Sequence, residues 1–94
     1  MNKHVTPAAQ EWLEIDLSKT FIRRADLSGA SLNRADFSGA DCTNANFRGA
    51  DFEGAILEGT ILRGADLRDA RNLTKQQIES AVIDNKTLLP AGLI

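Results

Sequence analysis

ADLSGASLNRADFSGADCTNANFRGADFEGA, residues 25–55, returns to the same pattern at every fifth residue. A period of five belongs neither to a helix, which repeats at 3.6, nor to a strand, which repeats at 2. It suits a chain that runs straight for a few residues, turns a corner and starts again. Extending the register in both directions puts a large apolar residue at one recurring position: Leu17, Ile22, Leu27, Leu32, Phe37, Cys42, Phe47, Phe52, Leu57, Leu62 and Leu67. Two residues earlier stand Ile15, Thr20, then alanine from Ala25 to Ala70, interrupted only by Thr60. Residues two apart in an extended segment share a side, so the large and small apolar positions both face inward. The polar residues between them face out. The fifth position is glycine at 29, 39, 49, 54, 59 and 64, where a corner can demand left-handed dihedrals. A chain that keeps turning one way and burying one face is a solenoid.

The quintets "ADLSG", "ADFSG", "ANFRG", "ADFEG" and "ADLRD" resemble the pentapeptide repeat family, whose pattern is A(D/N)LXX. The resemblance covers residues 15–71 in unbroken register. It implies an all-β solenoid, a right-handed quadrilateral β-helix with four quintets per coil and here about three coils. The departures are local: Thr20 and Thr60 replace alanine, and Phe21, Ile56 and Ile61 stand at the usual Asp/Asn position. Asn72 falls where the next large apolar residue belongs and Leu73 comes one place late, a slip expected to end the β-helix.

The residues themselves support four sides. With a coil of 20, residues 37, 42, 47 and 52 share one level and read Phe, Cys, Phe, Phe. Three rings crowd a narrow cross-section, and the small Cys42 compensates for them.

An open solenoid exposes unpaired backbone and apolar core at each end, so caps are expected. The expected organisation is an N-terminal tail and capping helix over 1–14, the β-helix over 15–73, and a C-terminal capping helix and tail over 74–94. Thr6 and Pro7 read as N-cap and first helical residue of a short helix reaching Trp12–Glu14, with Trp12 and Leu13 plugging the first coil. "TKQQ", residues 74–77, fits a capping box, and Ile78, Ala81 and Val82 then share a helical face, with Asn85 as a stop. The stretch "ARNLTKQQIESAVIDNKTLLP", residues 70–90, resembles the closing segment of many family members, so the chain is expected to be complete.

Composition bounds the function classes. The chain has 94 residues, 43% hydrophobic and 26% charged, with a net charge of -2. Neither a basic nucleic-acid binder nor a disordered tail is indicated. One cysteine excludes an internal disulfide framework and favours a reducing compartment; with no signal-like or membrane-spanning run, a cytoplasmic protein is expected. No catalytic, cofactor or metal site is expected. His4 is the only histidine, Cys42 faces inward with no histidine beside it, and only Asp16 and Asp36 stack as adjacent carboxylates.

Binding remains. The first face carries Asp16, Asp36 and Glu58, and the next carries Arg23 and Arg63. Family members that mimic duplex DNA and bind gyrase make inhibition of a nucleic-acid enzyme the alternative reading, but arginines beside the only acidic face cancel a phosphate-like field. No direct nucleic-acid binding and no membrane contact are expected. A non-catalytic protein-binding or scaffold module of unknown partner is the favoured reading. A homodimer is expected too, with Phe21, Ile56, Ile61, Leu88, Leu89 and Leu93 as contact candidates.

Overall fold

A computed structural model describes residues 14–93. The expected N-terminal helix from Thr6, the plugging role of Trp12 and Leu13, and His4 lie outside the described residues, as does Ile94.

The chain winds as a stack of short parallel β-bridges, each joining residues 20 apart: Asp16 to Asp36, Phe21 to Asp41, Asp26 to Asn46, Ser31 to Asp51, and again from Asp36, Asp41, Asn46 and Asp51 one coil on. Four bridges per 20 residues make four faces, which begin at residues 15, 20, 25 and 30 in the first coil. Backbone bonds run alternately up and down; Asp36 N donates to Ile15 O at 2.9 Å and Phe37 N to Ile56 O at 2.9 Å.

Every corner is the same turn. The first residue of each quintet donates back to the large apolar residue, as Ala40 N does to Phe37 O at 2.9 Å. Of the two residues between, the second has positive φ, as type II geometry requires, which favours glycine. Gly39 (φ 66) fits without strain, but Lys19, Arg24, Arg34, Asn44 and Asp69 take the same corner at φ 59 to 62. The Asp/Asn position stabilises the turn from outside. Asp16 Oδ1 accepts from Ser18 N at 3.0 Å and from Ser18 Oγ at 2.6 Å, and Asp26 and Asp41 serve Ser28 and Thr43 alike.

Phe37, Cys42, Phe47 and Phe52 lie fully buried at one level. Phe37 and Phe47 meet edge to face with centroids 5.9 Å apart, and Phe47 and Phe52 are 5.3 Å apart, within the favoured range for aromatic pairs. Leu32, Leu57, Leu62 and Leu67 are buried above and below, while Leu27 is half-buried with Leu17 and Ile22. The threonines that replace alanine have internal partners. Thr60 is fully buried and its Oγ1 donates to Phe37 O at 2.7 Å; Thr20 Oγ1 donates to Leu17 O at 2.6 Å.

The C-terminal end departs from the expected boundary. Thr74 caps a single helix, α1 (Lys75–Ser80), and the capping box with Gln77 is present. The helix stops at Ser80, and Ala81 is already extended. Val82 therefore lies on no helical face; it pairs with Ile61, and Leu88 pairs with Asp66. These partners are 21 and 22 residues apart, so the coil continues past residue 73 in a shifted register. Asn72, at φ 58, absorbs the slip, and Leu73 still packs on the core. The physical reason is the open edge above: Leu62 N donates to Val82 O at 2.7 Å and Leu67 N to Leu88 O at 2.7 Å, so residues 81–88 satisfy groups a loose tail would leave to water.

Candidate interaction surface

The outward side chains stand in four columns set by the bridges. On the first face Asp16 and Asp36 are neighbours, Ile56 follows them, and Glu58 lies nearby in chain order. On the second, Arg23 Nε donates to Asp41 Oδ2 at 2.9 Å, while Arg63 stands exposed one coil above Thr43. Further pairs, Arg34 with Glu14, Arg48 with Asp69 and Arg68 with Asp66, interleave the two signs around the rod. Such a surface has no single-sign field to present.

The aspartates of the columns are engaged. The Ser18 hydroxyl, then the Ser18 backbone N–H, holds Asp16 below the usual carboxylate range, and Ser28 does the same for Asp26. The Thr43 hydroxyl, followed by the Arg23 side chain, lowers Asp41. Burial, and secondarily the Asp41 charge, pushes the Cys42 thiol up to about 12, so it stays protonated and unreactive at neutral pH. Among the described residues no cluster of three or more His, Cys, Asp or Glu is placed to hold a metal ion.

The apolar positions fall into two places. Ile56 is 45% exposed on the first face, Ile61 stands beside Val82 on the second, and Leu88, 43% exposed, continues the third. The shifted coil thus gathers Ile56, Ile61, Val82 and Leu88 into a band around the C-terminal end. Leu89 and Leu93 turn inward instead, packing on the core and lining a cavity of about 150 Å³ with Ile78 and Ile83. Both are half-buried against the last coil and keep part of their surface free in that cavity. Phe21, 84% exposed, stands two coils below Ile61 and does not join the band.

Three polar residues complete this end through bonds to the coil that the sequence, which marks Gln77 only for the capping box, did not reveal. Gln77 Nε2 donates to Phe52 O at 3.0 Å and Ala55 O at 2.8 Å. Asp84 Oδ1 accepts from Gly64 N at 3.1 Å, and Thr87 Oγ1 donates to Leu62 O at 2.8 Å. Their only signal was chemical: short polar side chains spaced along a segment that must follow an open edge.

Corners recur every five residues and coils every 20, and the family description "pentapeptide repeats" matches residues 14–41 and 35–71. The chain belongs to the pentapeptide repeat family. Solved pentapeptide repeat proteins share its fold, the family's right-handed quadrilateral β-helix. Rfr23 from the cyanobacterium Cyanothece 51142 is 28% identical with a TM-score of 0.74, over 84% of this chain and 53% of that one. A pentapeptide repeat protein of the Arabidopsis thaliana thylakoid lumen is 30% identical with a TM-score of 0.66, over 86% of this chain and 59% of that one. HetL of Nostoc sp. strain PCC 7120, involved in heterocyst differentiation regulation, is 30% identical with a TM-score of 0.70, over 89% of this chain and 38% of that one. The chain therefore spans little more than half the length of the first two and less of the third. No protein of curated function matches its sequence.

Proposed function

We propose that this pentapeptide repeat chain is a non-catalytic protein-docking module, that the C-terminal apolar band is its contact surface, and that a second copy of the chain is its first partner. The observation that carries the reading is the change of chemistry along the outward columns. Where the lower coils present Asp16, Asp36, Asp41, Asp26 and Asn46, with Phe21 as the exception, the upper end presents Ile56, Ile61, Val82 and Leu88 on three adjacent faces, Asp66 preceding Leu88 on the third. Aspartate there stabilises a turn, so replacing it with isoleucine gives up a hydrogen bond that folding uses elsewhere. Ile56 and Leu88 are 45% and 43% exposed, so completing the burial of each against a partner contributes on the order of 1 kcal/mol. The thiol is buried and the carboxylates of the columns are tied into corners, which favours a surface that binds over one that reacts.

Sedimentation equilibrium tests it. The full chain should show a monomer–dimer equilibrium that salt barely weakens, and Ile61→Asp with Leu88→Asp should leave a folded monomer. A wild-type chain that stays monomeric at high micromolar concentration would remove the second copy as partner.

A further inference from the structure

The C-terminal end covers its core more fully than its backbone. In the middle coil the large apolar residue and the small one two places before it bond toward the next coil: Cys42 N donates to Ile61 O at 2.8 Å, and Ala40 O accepts from Ile61 N at 2.9 Å. Leu62 N and Thr60 O repeat this with Val82, and Leu67 N and Ala65 O with Leu88. By the same alternation Ile83 N and Ala81 O point beyond Val82, and Leu89 N and Thr87 O point beyond Leu88. None of these groups has a backbone partner among the described residues. On the first face α1 takes the place of a further coil, with Gly59 N donating to Ser80 O at 2.8 Å.

The side chains show the same opening. Ile83 stands one coil above Leu62 at the inward position, yet it is 39% exposed while Leu62 is fully buried. Beside it lies the apolar cavity of about 150 Å³ between Ile78, Ile83, Leu89 and Leu93. A cavity of that size accepts a benzene-sized group, so the branched end of a leucine fits. Its apolar walls would leave a polar group without partners.

We propose that this edge docks an extended peptide segment of a partner protein, which runs along residues 81–83 as a further coil would and seats one leucine or isoleucine in the cavity. The middle residue of the segment donates to Ala81 O and accepts from Ile83 N. The residue after it then points inward over the cavity, and the residue before it, which must be small, lies over Ala81. The motif is small–any–aliphatic, the pattern of the coil itself. An extended segment is the occupant because its backbone offers the edge both a donor and an acceptor; a helix spends its own internally, and a small hydrophobe would leave the edge unpaired. The inference rests on the docking-module reading but not on the second copy. The edge looks along the rod, whereas Ile56, Ile61, Val82 and Leu88 look sideways from it.

Titrating the full chain with the peptide acetyl-Ser-Ala-Thr-Leu-Ser-amide, followed by amide NMR, tests it. The Ile83 amide signal should shift saturably, and those of Cys42 and Phe47 should stay in place. Replacing the peptide's leucine with alanine should weaken binding about tenfold. N-methylating its threonine, which removes the donor to Ala81 O, should weaken it at least as much. The chain with Ile61→Asp and Leu88→Asp should bind the peptide as the wild type does, whether or not the wild type dimerises. The absence of a saturable shift at Ile83 overturns the inference, as does binding that either altered peptide reproduces undiminished. An Ile83 signal that moves with protein concentration alone gives the edge to a second copy and overturns it as well.

Discussion

Cys42 shares a level with Phe37, Phe47 and Phe52, all four fully buried and the rings 5.3 to 6.4 Å apart. A fourth ring has no room, so Cys42→Phe should destabilise the fold by about 1–3 kcal/mol through overpacking. Cys42→Ala should cost less, because the phenylalanines can relax inward. Thermal melting decides it: a phenylalanine variant as stable as wild type would refute the volume argument. The corners allow a second comparison between single residues. A Cβ at Gly29 meets nothing, whereas one at Gly54 comes within 2.9 Å of Arg34 Cγ in the corner below. Gly29→Ala should therefore cost only the left-handed backbone, about 1–2 kcal/mol. Gly54→Ala should cost measurably more, since Arg34 must also move. Equal losses in denaturant titration would show that neighbouring corners do not touch. The inward positions were legible because they obey one register. Thr60 was not: in sequence it is merely a flaw in an alanine column, and its bond to Phe37 O exists only once the chain has come round.

At the scale of the element, the recurring unit is a corner held by an outward carboxylate. Asp16, Asp26 and Asp41 titrate below their unfolded values because Ser18, Ser28 and Thr43 donate to the charged form. A lowered folded pKa stabilises the native state above the unfolded value, near 3.9, and that contribution fades as pH falls through the folded values. The melting point should thus be insensitive to these groups from pH 7 to about 5 and drop below about pH 4. A melting point that holds or rises between about pH 4 and 2 would mean that the corner bonds do not favour the carboxylate. The quintets and the capping box of α1 could be read directly, because each is a local pattern. The fate of residues 81–93 could not. Their partners lie 21 and 22 residues back, so no period links them, and Val82 fits a helical stripe as readily as the extended bridge it forms with Ile61. The tertiary edge chose between the two.

For the whole molecule the consequence is polarity. One end is closed by residues 74–93 with apolar side chains facing out around it, and the opposite end shows an apolar ring within the described chain. The apolar band was half visible in sequence, where Ile56 and Ile61 break the Asp/Asn column. Its other half, Val82 and Leu88, needed the shifted coil. The most direct measurement of that coil is residue-resolved hydrogen exchange on the full chain. Leu62 and Leu67 donate to Val82 and Leu88, and Val82 and Leu88 donate to Thr60 and Ala65 at 2.8 and 2.9 Å. Their amides should exchange slowly, with protection of the same order as those of Cys42 and Phe47 in the middle coil. If Leu62, Leu67, Val82 and Leu88 instead exchange as freely as an unstructured tail while Cys42 and Phe47 stay protected, the solenoid ends at residue 73 and the band does not exist.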